Sequence, residues 1–258
     1  GKREREEEQL SKEIKKIHEE HREKYGSPKI HAEMVKSGHK ISRQRTKKIM
    51  DKYGVERKVG RKYKVTTNSK HKEIWSPNLL VRDFSSPQPN AVWASDITYI
   101  DTREGWMYLC VIIDLFSNYV AGWALQPHMK EDLVIEALDM AYKRRRPPKY
   151  LIFHSDGGRQ YVGKRFRARL KRYGMIQSMS RKGDPWDNAV AESFFSQFKN
   201  EQIHPYVFLT RQHLDDAVFS YLEVFYNRKR IQQKTGWLSP EEFERNWRFT
   251  KLAKKCVH

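Results

Sequence analysis

The sequence has few of the features that mark secreted or membrane proteins. It contains only two cysteines, Cys110 and Cys256, in 258 residues, which excludes a disulfide framework and a cysteine-rich zinc site. No apolar run is long enough to cross a bilayer, and no signal peptide precedes the charged start. These absences predict a cytoplasmic protein with no membrane partner, in which Cys110 acts as a small buried hydrophobe.

Acidic residues are also scarce relative to basic ones. The chain carries 51 Lys and Arg against 32 Asp and Glu, which gives a formal net charge of +19. Residues 1–90 hold 24 of the basic residues against 13 acids, so +11 of that charge lies in the first third. Aromatic residues remain plentiful, which predicts a folded core and not a disordered basic tail. A charge of this size favours a polyanionic partner, most simply nucleic acid.

The start of the chain carries helical periodicity and turn signals. Apolar residues recur at spacings of three and four in residues 4–23, although a short coiled-coil stub is an alternative. Pro28 begins a second helix, and Ser42 caps a third over residues 43–53. Three short helices joined by tight turns predict a helix-turn-helix module over residues 1–54.

The third helix and the linker after it, residues 55–90, are strongly basic. A solvated basic face is the simplest interpretation, but the position before a basic linker favours a DNA-reading helix followed by phosphate contacts. The predicted DNA-binding residues in these two segments are Arg43, Gln44, Arg45, Lys47, Lys48, Arg57, Lys58, Arg61 and Lys62. Apolar residues between 74 and 84 predict that the later part of the linker docks on the rest of the protein.

Residues 91–205 are rich in predicted strands. Apolar patterns over 92–101, 107–115 and 119–125 predict an antiparallel three-stranded meander. A helix then leads to a fourth strand, which the right-handed crossover rule places parallel to an earlier strand, and a short fifth strand follows. The pattern predicts an α/β domain with helices around a mixed sheet, and residues 206–258 add a helical extension.

Three carboxylates occupy prominent positions in this domain. Asp96 lies inside the first strand, Asp156 follows the fourth strand at a glycine-containing turn, and Glu192 lies on the exposed face of a helix. If the first and fourth strands are neighbours, the two aspartates are adjacent. Such oxygen ligands suit a hard divalent cation. An isolated Asp after a strand more often caps a turn, which is our interpretation of Asp114, and local pattern alone does not single out the three acids.

Four ordered motifs resemble one known family. They are residues 93–99 (WASDITY), 154–161 (HSDGGRQY), 187–195 (DNAVAESFF) and 226–240, which begins with YNRKR and ends with SP. In this order they resemble the bacterial insertion-sequence transposases whose DDE catalytic domain is shared with retroviral integrases. Thirty-five residues separate Asp156 from Glu192, which is the spacing typical of that family.

The resemblance implies a ribonuclease-H-like core with a mixed five-stranded sheet, in which Asp96, Asp156 and Glu192 bind two Mg²⁺ or Mn²⁺ ions. It implies donor-strand cleavage and strand transfer on double-stranded DNA, both terminal repeats and target, by a homodimer or higher oligomer. It also implies the second-frame product of two overlapping reading frames. Lys199 matches the family's basic residue and is a DNA-binding candidate. Trp186 is another, as a base-stacking residue, with core packing as its alternative.

Two other functions are compatible with these residues. One is a hydrolytic nuclease acting on RNA–DNA hybrids or structured DNA, and the other is a catalytically silent DNA-binding protein. Gln232 and Thr235 stand where the family usually has His and Leu, so no substrate role is carried over to that loop. The zinc module of retroviral integrases is not expected, because His18 and His21 have no cysteine pair to join.

Overall fold

The computed structural model describes residues 2–57, 75–181 and 184–255. The predicted DNA-binding residues Lys58, Arg61 and Lys62 lie outside the described residues. The elements are α1 (Lys2–Glu20), α2 (Ser27–Lys36), α3 (Arg43–Lys52), β1 (Val92–Ile100), β2 (Met107–Asp114), β3 (Tyr119–Gln126), α4 (Glu131–Arg145), β4 (Ile152–Ser155), α5 (Arg159–Val162), α6 (Lys164–Arg172), β5 (Ile176–Met179), α7 (Ala189–Phe198), α8 (Arg211–Phe219) and α9 (Pro240–Lys255). A 3-10 turn, Pro185–Asn188, precedes α7, and π-helical segments, Lys199–Ile203 and Ser220–Tyr226, continue α7 and α8.

The sheet has the predicted mixed topology. Its five strands lie in the order β3-β2-β1-β4-β5, with β1, β2 and β3 antiparallel and β4 parallel to both β1 and β5. The pairing of β1 with β4 places Ser95 opposite Ser155. Asp96 and Asp156 each follow this pair by one residue, so the crossover brings the two aspartates to neighbouring strands, as the sequence predicts.

Helices cover both faces of the sheet, which explains the apolar run of β2. Successive side chains of a strand point to opposite faces. Val111 and Ile113 therefore belong to one core, with α7, α8 and the N-terminal helices. Cys110 and Ile112 belong to the other core, with α4, α5 and α6. The predicted role of Cys110 as a buried hydrophobe is confirmed, since its side chain is inaccessible to solvent.

The N-terminal helices pack directly on the helices that follow the sheet. Ile14 and Met34 share one apolar core with Phe198 and Tyr221. Beside this core the Tyr25 hydroxyl donates to the Lys229 carbonyl and accepts from a backbone N–H of the same loop. The domain boundaries predicted at residues 54, 90 and 205 stay predictions. Helices from before residue 54 and from after residue 205 nevertheless share one apolar core.

A buried charged cluster centred on Glu201 strengthens the same contact. Arg230 donates to both carboxylate oxygens of Glu201 at 2.7 and 2.8 Å, and the Tyr221 hydroxyl donates at 2.8 Å. Burial alone would raise the pKa of Glu201, but the charge and hydrogen bonds of Arg230 prevail and lower the pKa to about 2. The Lys29 ammonium lies 3.7 Å away. Its pKa falls to about 7, first because of burial and then because of Arg230, so Arg230 is the main partner of Glu201.

The motif over residues 226–240 closes the fold. The Asn227 amide accepts from the backbone N–H of Val120 and donates to its carbonyl, which caps the edge of β3. Gln232 pairs with Leu238 through the backbone, and the Thr235 hydroxyl donates to the Leu238 carbonyl. The two departures from the family pattern, Gln232 and Thr235, thus have structural contacts within this loop.

Three helical segments contain irregular turns. Gly163 separates α5 from α6; the Glu131 carboxylate occupies the space that a side chain would fill there and accepts the Phe166 N–H at 2.7 Å. The helix that carries Glu192 has Asn188 at its N-cap position and is preceded by a 3-10 turn whose cap is Asp184. The long helix after the sheet runs from α8 into its π-helical continuation without a break. Along the described stretches, no helix combines the length and apolarity needed to span a membrane.

Candidate metal centre

Asp96 lies in β1 and Asp156 directly follows the adjacent parallel strand β4, and backbone N–H groups orient each carboxylate. The N–H of Ile97 donates to Asp96 Oδ1 at 2.8 Å. The N–H of Gly158 donates to Asp156 Oδ1 at 3.0 Å. The local backbone of β1 and of the turn after β4 therefore orients both carboxylates.

Glu192 reaches this region from α7. The opposite side of the helix is buried through Ala191, Phe194, Phe195 and Phe198, and α7 contacts β1. Glu192 itself is exposed. The helical face that the sequence predicts for Glu192 is confirmed, and packing of the aromatic side keeps that face turned away from the core.

The three carboxylates interact electrostatically. Burial is the largest cause that raises the pKa of Asp96 well above its usual value, and the charges of Asp156 and Glu192 add to it. The pKa of Glu192 is also raised, by partial desolvation of its carboxylate and then by the charge of Asp156. Lys199 lies near Asp96, with its ammonium 4.9 Å from the centre of the Tyr99 ring. Like charges held together disfavour ionisation, and a bound cation would relieve that repulsion.

The donor set suits a hard divalent cation, because all three side chains offer carboxylate oxygens. Within residues 2–57, 75–181 and 184–255, no three acidic, histidine or cysteine side chains converge closely enough to hold a metal ion as they stand. The fit of Asp96, Asp156 and Glu192 to Mg²⁺ or Mn²⁺ thus rests on the chemistry of their oxygen atoms. Their assignment as ligands stays a prediction.

Trp75 packs against the turn that carries Asp156. Its indole N–H donates to the Ser180 carbonyl at 2.8 Å, and its ring fills the space beside Gly157. The predicted docking of the later linker is thereby confirmed for Trp75, and Leu80 is also buried. Ile74 lies outside the described residues. Sequence reasoning missed the contact of Trp75 with this turn, since the only signals were a tryptophan after a basic stretch and a glycine after Asp156.

Gly157→Ala is expected to lower the free energy of unfolding by about 1–3 kcal/mol, because the added methyl group would overlap the Trp75 ring. In a Trp75→Ala background the same change is expected to cost close to nothing, since the clash is gone. Urea denaturation of the four proteins measures both values. Equal costs in the two backgrounds would show that the clash is not the cause.

A second set of buried polar residues holds the loop before α7. Asp187 accepts from the Arg181 guanidinium at 2.9 and 3.0 Å, and this bonding lowers the pKa of Asp187. His154 is buried, with its ring nitrogens 2.8 Å from Ser178 Oγ and the Asp187 carbonyl. Burial lowers the pKa of His154. These contacts show that His154 is packed and that Asp187 holds the loop before α7.

Trp186 lies in the same loop and is 70% exposed. This exposure rules out core packing, which was the alternative to a stacking role. The backbone N–H of Trp186 donates to the Asp184 carboxylate at 3.2 Å. This bond fixes the backbone from which the exposed indole projects. Its contact with DNA stays a prediction.

The third helix presents a basic surface in the way the sequence predicts. The Ser42 hydroxyl caps α3 by accepting the Arg45 N–H at 3.2 Å, and the buried side of the helix is formed by Thr46, Ile49 and Met50. The predicted DNA-binding residues that are exposed here are Arg43, Gln44, Lys47, Lys48 and Arg57. The Arg45 guanidinium instead pairs with Glu6 of α1 at 3.0 Å.

Comparison with known proteins places these features in context. Family models described as "Integrase core domain" match residues 86–185 and 192–247, and one described as "HTH-like domain" matches residues 4–63. The last match confirms the predicted helix-turn-helix module.

Two similar relatives are named transposases. The chain is 41% identical over 223 residues to the transposase InsF for insertion sequence IS3A of Escherichia coli K12, covering 86% of this chain and 77% of the relative. It is 38% identical over 237 residues to the transposase for insertion sequence element IS904 of Lactococcus lactis, covering 92% and 93%.

A solved structure shares the fold. A chain in the simian T-cell lymphotropic virus intasome, solved by cryo-EM with the PP2A regulatory subunit B56 gamma, is 15% identical, with a TM-score of 0.50. The match covers 90% of this chain and 74% of that chain. This likeness supports the predicted ribonuclease-H-like architecture.

Proposed function

Because this chain belongs to the IS3 family of insertion-sequence transposases, we propose that it cleaves donor strands at the ends of an insertion sequence and transfers the freed 3′ hydroxyls to target DNA. The observation that carries the proposal is the parallel pairing of β1 with β4. It places Asp96 and Asp156 on neighbouring strands, within electrostatic range of Glu192 on α7. Both aspartates are already oriented by backbone N–H groups.

Asp96, Asp156 and Glu192 are the proposed ligands of two Mg²⁺ or Mn²⁺ ions. Such ions, when bound, make a water or hydroxyl group a stronger nucleophile and neutralise the leaving oxygen. The protein's own part is to orient the two aspartates through backbone N–H groups, and Lys199 near Asp96 is the proposed contact to a phosphate beside the scissile bond. Trp186 is proposed to stack on an unpaired base next to the cut.

The exposed basic side of α3 is proposed to bind the terminal repeats, and Arg57 to contact the phosphates that follow. Joining two ends to one target requires two active sites, so a homodimer or higher oligomer is proposed on paired DNA ends. The substrate is chromosomal or plasmid DNA, which places the proposed activity in the bacterial cytoplasm.

A joining assay tests this function. The purified chain is incubated with Mg²⁺ or Mn²⁺, a target plasmid and a labelled duplex that carries a terminal repeat of its own element with a 3′ hydroxyl. We expect labelled strands covalently joined to the plasmid. Cleaved but never joined strands would contradict strand transfer and favour a hydrolytic nuclease on the same fold. Binding without any cleavage would favour a DNA-binding protein.

A further inference from the structure

A second basic surface lies at the end of the sheet opposite the carboxylates. The turn over residues 147–150 precedes β4, whereas Asp156 follows it, so the length of the strand separates the two regions. At this end the N–H of Tyr150 donates to the Gly174 carbonyl at 2.7 Å, and the rings of Tyr142 and Tyr173 stack at 3.7 Å. These contacts join the C-terminal ends of α4 and α6.

This surface, which we call the far-end patch, is unusually rich in unpaired cations. Residues 143–150 and 164–174 contain eleven Lys and Arg and no acid. Acids elsewhere in the protein pair with four of them, namely Arg144, Arg145, Arg165 and Arg169. The far-end patch consists of Lys143, Arg146, Lys149, Lys171 and Arg172, all exposed. None of these five forms an ion pair with an acid in the described part of the chain.

Helix dipoles do not account for this charge. Two helix C-termini supply roughly half a negative charge each. Their sum is far too small to neutralise five cations. A solvated charged surface normally mixes both signs, and these two segments contain no acid. The concentration of one sign is what a polyanion would bind.

An exposed aromatic side chain lies among these cations. Tyr150 is 74% exposed and its backbone has a φ of 70°, a left-handed conformation that is unfavourable for a bulky residue. Beside it lies a shallow cavity of about 350 Å³, lined by Leu170, Met175 and the exposed Ile176 and rimmed by Lys171. The ring is therefore held outward at a conformational cost and not packed into the core.

We propose that the far-end patch binds a segment of duplex DNA through its phosphates, with Tyr150 against the sugar–phosphate edge. The site is separate from the carboxylates and from α3, so one chain holds a second duplex segment at the far end of its sheet. The proposal concerns binding alone and does not depend on the proposed chemistry. Evenly charged duplex backbone supplies many phosphates in a row, which matches a patch without any paired acid.

Matched arginine pairs test the proposal. Arg146→Gln with Arg172→Gln removes two charges of the far-end patch. Arg144→Gln with Arg165→Gln removes two nearby charges, on α4 and α6, that acids already neutralise, so both variants lose the same net charge. Both are made in the full chain carrying Asp156→Asn and studied in EDTA, so the result is independent of whether the three acids are catalytic. Thermal unfolding confirms that each variant is folded.

The readout is the salt dependence of binding to a random-sequence duplex. Each lost phosphate contact reduces the slope of log K against log salt by about 0.9, so the patch pair is expected to lower the slope by about 1.8. The control pair is expected to leave it unchanged. Equal slopes in both variants would overturn the proposal and leave the patch to an acidic protein partner.

A local readout guards against a general charge effect. A photo-reactive benzoylphenylalanine at Tyr150 is expected to cross-link to the labelled duplex. The same group at Phe219, which is 52% exposed on α8, serves as the comparison. A yield at Tyr150 no higher than at Phe219 would overturn the proposal.

Discussion

Asp156→Asn is expected to slow strand cleavage and joining at least about a thousandfold while duplex binding stays unchanged. Asparagine has nearly the same shape and still accepts the Gly158 N–H, but it lacks the negative charge that a divalent cation requires. A thousandfold loss corresponds to about 4 kcal/mol of transition-state stabilisation. Time courses with a labelled element-end duplex measure the rate, and mobility shifts measure binding.

Asp101→Asn is the matched control, because Asp101 directly follows β1 and is exposed. This variant is expected to join strands at the wild-type rate. Joining retained by Asp156→Asn would contradict the assignment of the metal centre. A loss of joining in both variants would show that any change of charge at this end of the sheet has the same effect, and that Asp156 is not special.

Arg230→Met is expected to lower the free energy of unfolding by about 3–5 kcal/mol, since it removes the main cationic partner of the buried Glu201 carboxylate. Both side chains are about 5% exposed. Arg228→Met is the control, because its partner Glu241 is exposed and 3.7 Å away. An exposed pair of this kind contributes at most about 1 kcal/mol. Urea denaturation at neutral pH compares the two, and equal losses would contradict the role of the buried pair.

The ion pair between Glu201 and Arg230 also predicts a pH dependence of stability. The pKa of Glu201 is lowered from 4.5 to about 2 in the folded state, so the folded state binds fewer protons in this range. The contribution of ionised Glu201 to the free energy of unfolding is fully present above about pH 4.5 and is lost as the pH falls towards 2. The Glu201→Gln variant is expected to lose less of its free energy of unfolding between pH 4.5 and 2. The same pH dependence in the variant and the wild type would contradict the role given to Glu201.

The buried cluster also concerns the proposed active site. Glu192 and Glu201 lie on one continuous helix, formed by α7 and its π-helical continuation. Lys24 of the N-terminal module donates to the Glu201 carbonyl and, at 3.0 Å, to the Gln202 side chain. The contact that holds the helix-turn-helix module against the protein thus fixes the helix that presents the third carboxylate.

Much of the fold follows from local pattern. The apolar run of β2 predicts a strand covered on both faces, and the structure places it between two cores. Ser42 predicts the start of α3, because a hydroxyl that accepts a free N–H stabilises a helix end. The motifs around Asp96, Asp156 and Glu192 single out the three acids, and strand order then confirms that the two aspartates are neighbours.

Other features arise only from tertiary structure. Glu201 meets Arg230 and Lys29, and Trp75 meets Gly157, although these partners are far apart in sequence. The far-end patch likewise forms where two helix ends converge. The sequence by itself indicated most of the helices and strands and their buried sides, and it nominated the three acids, whose role as ligands stays a prediction. Which distant side chains meet was decided by packing, because periodicity specifies the face that a helix or strand buries but not the surface that covers it.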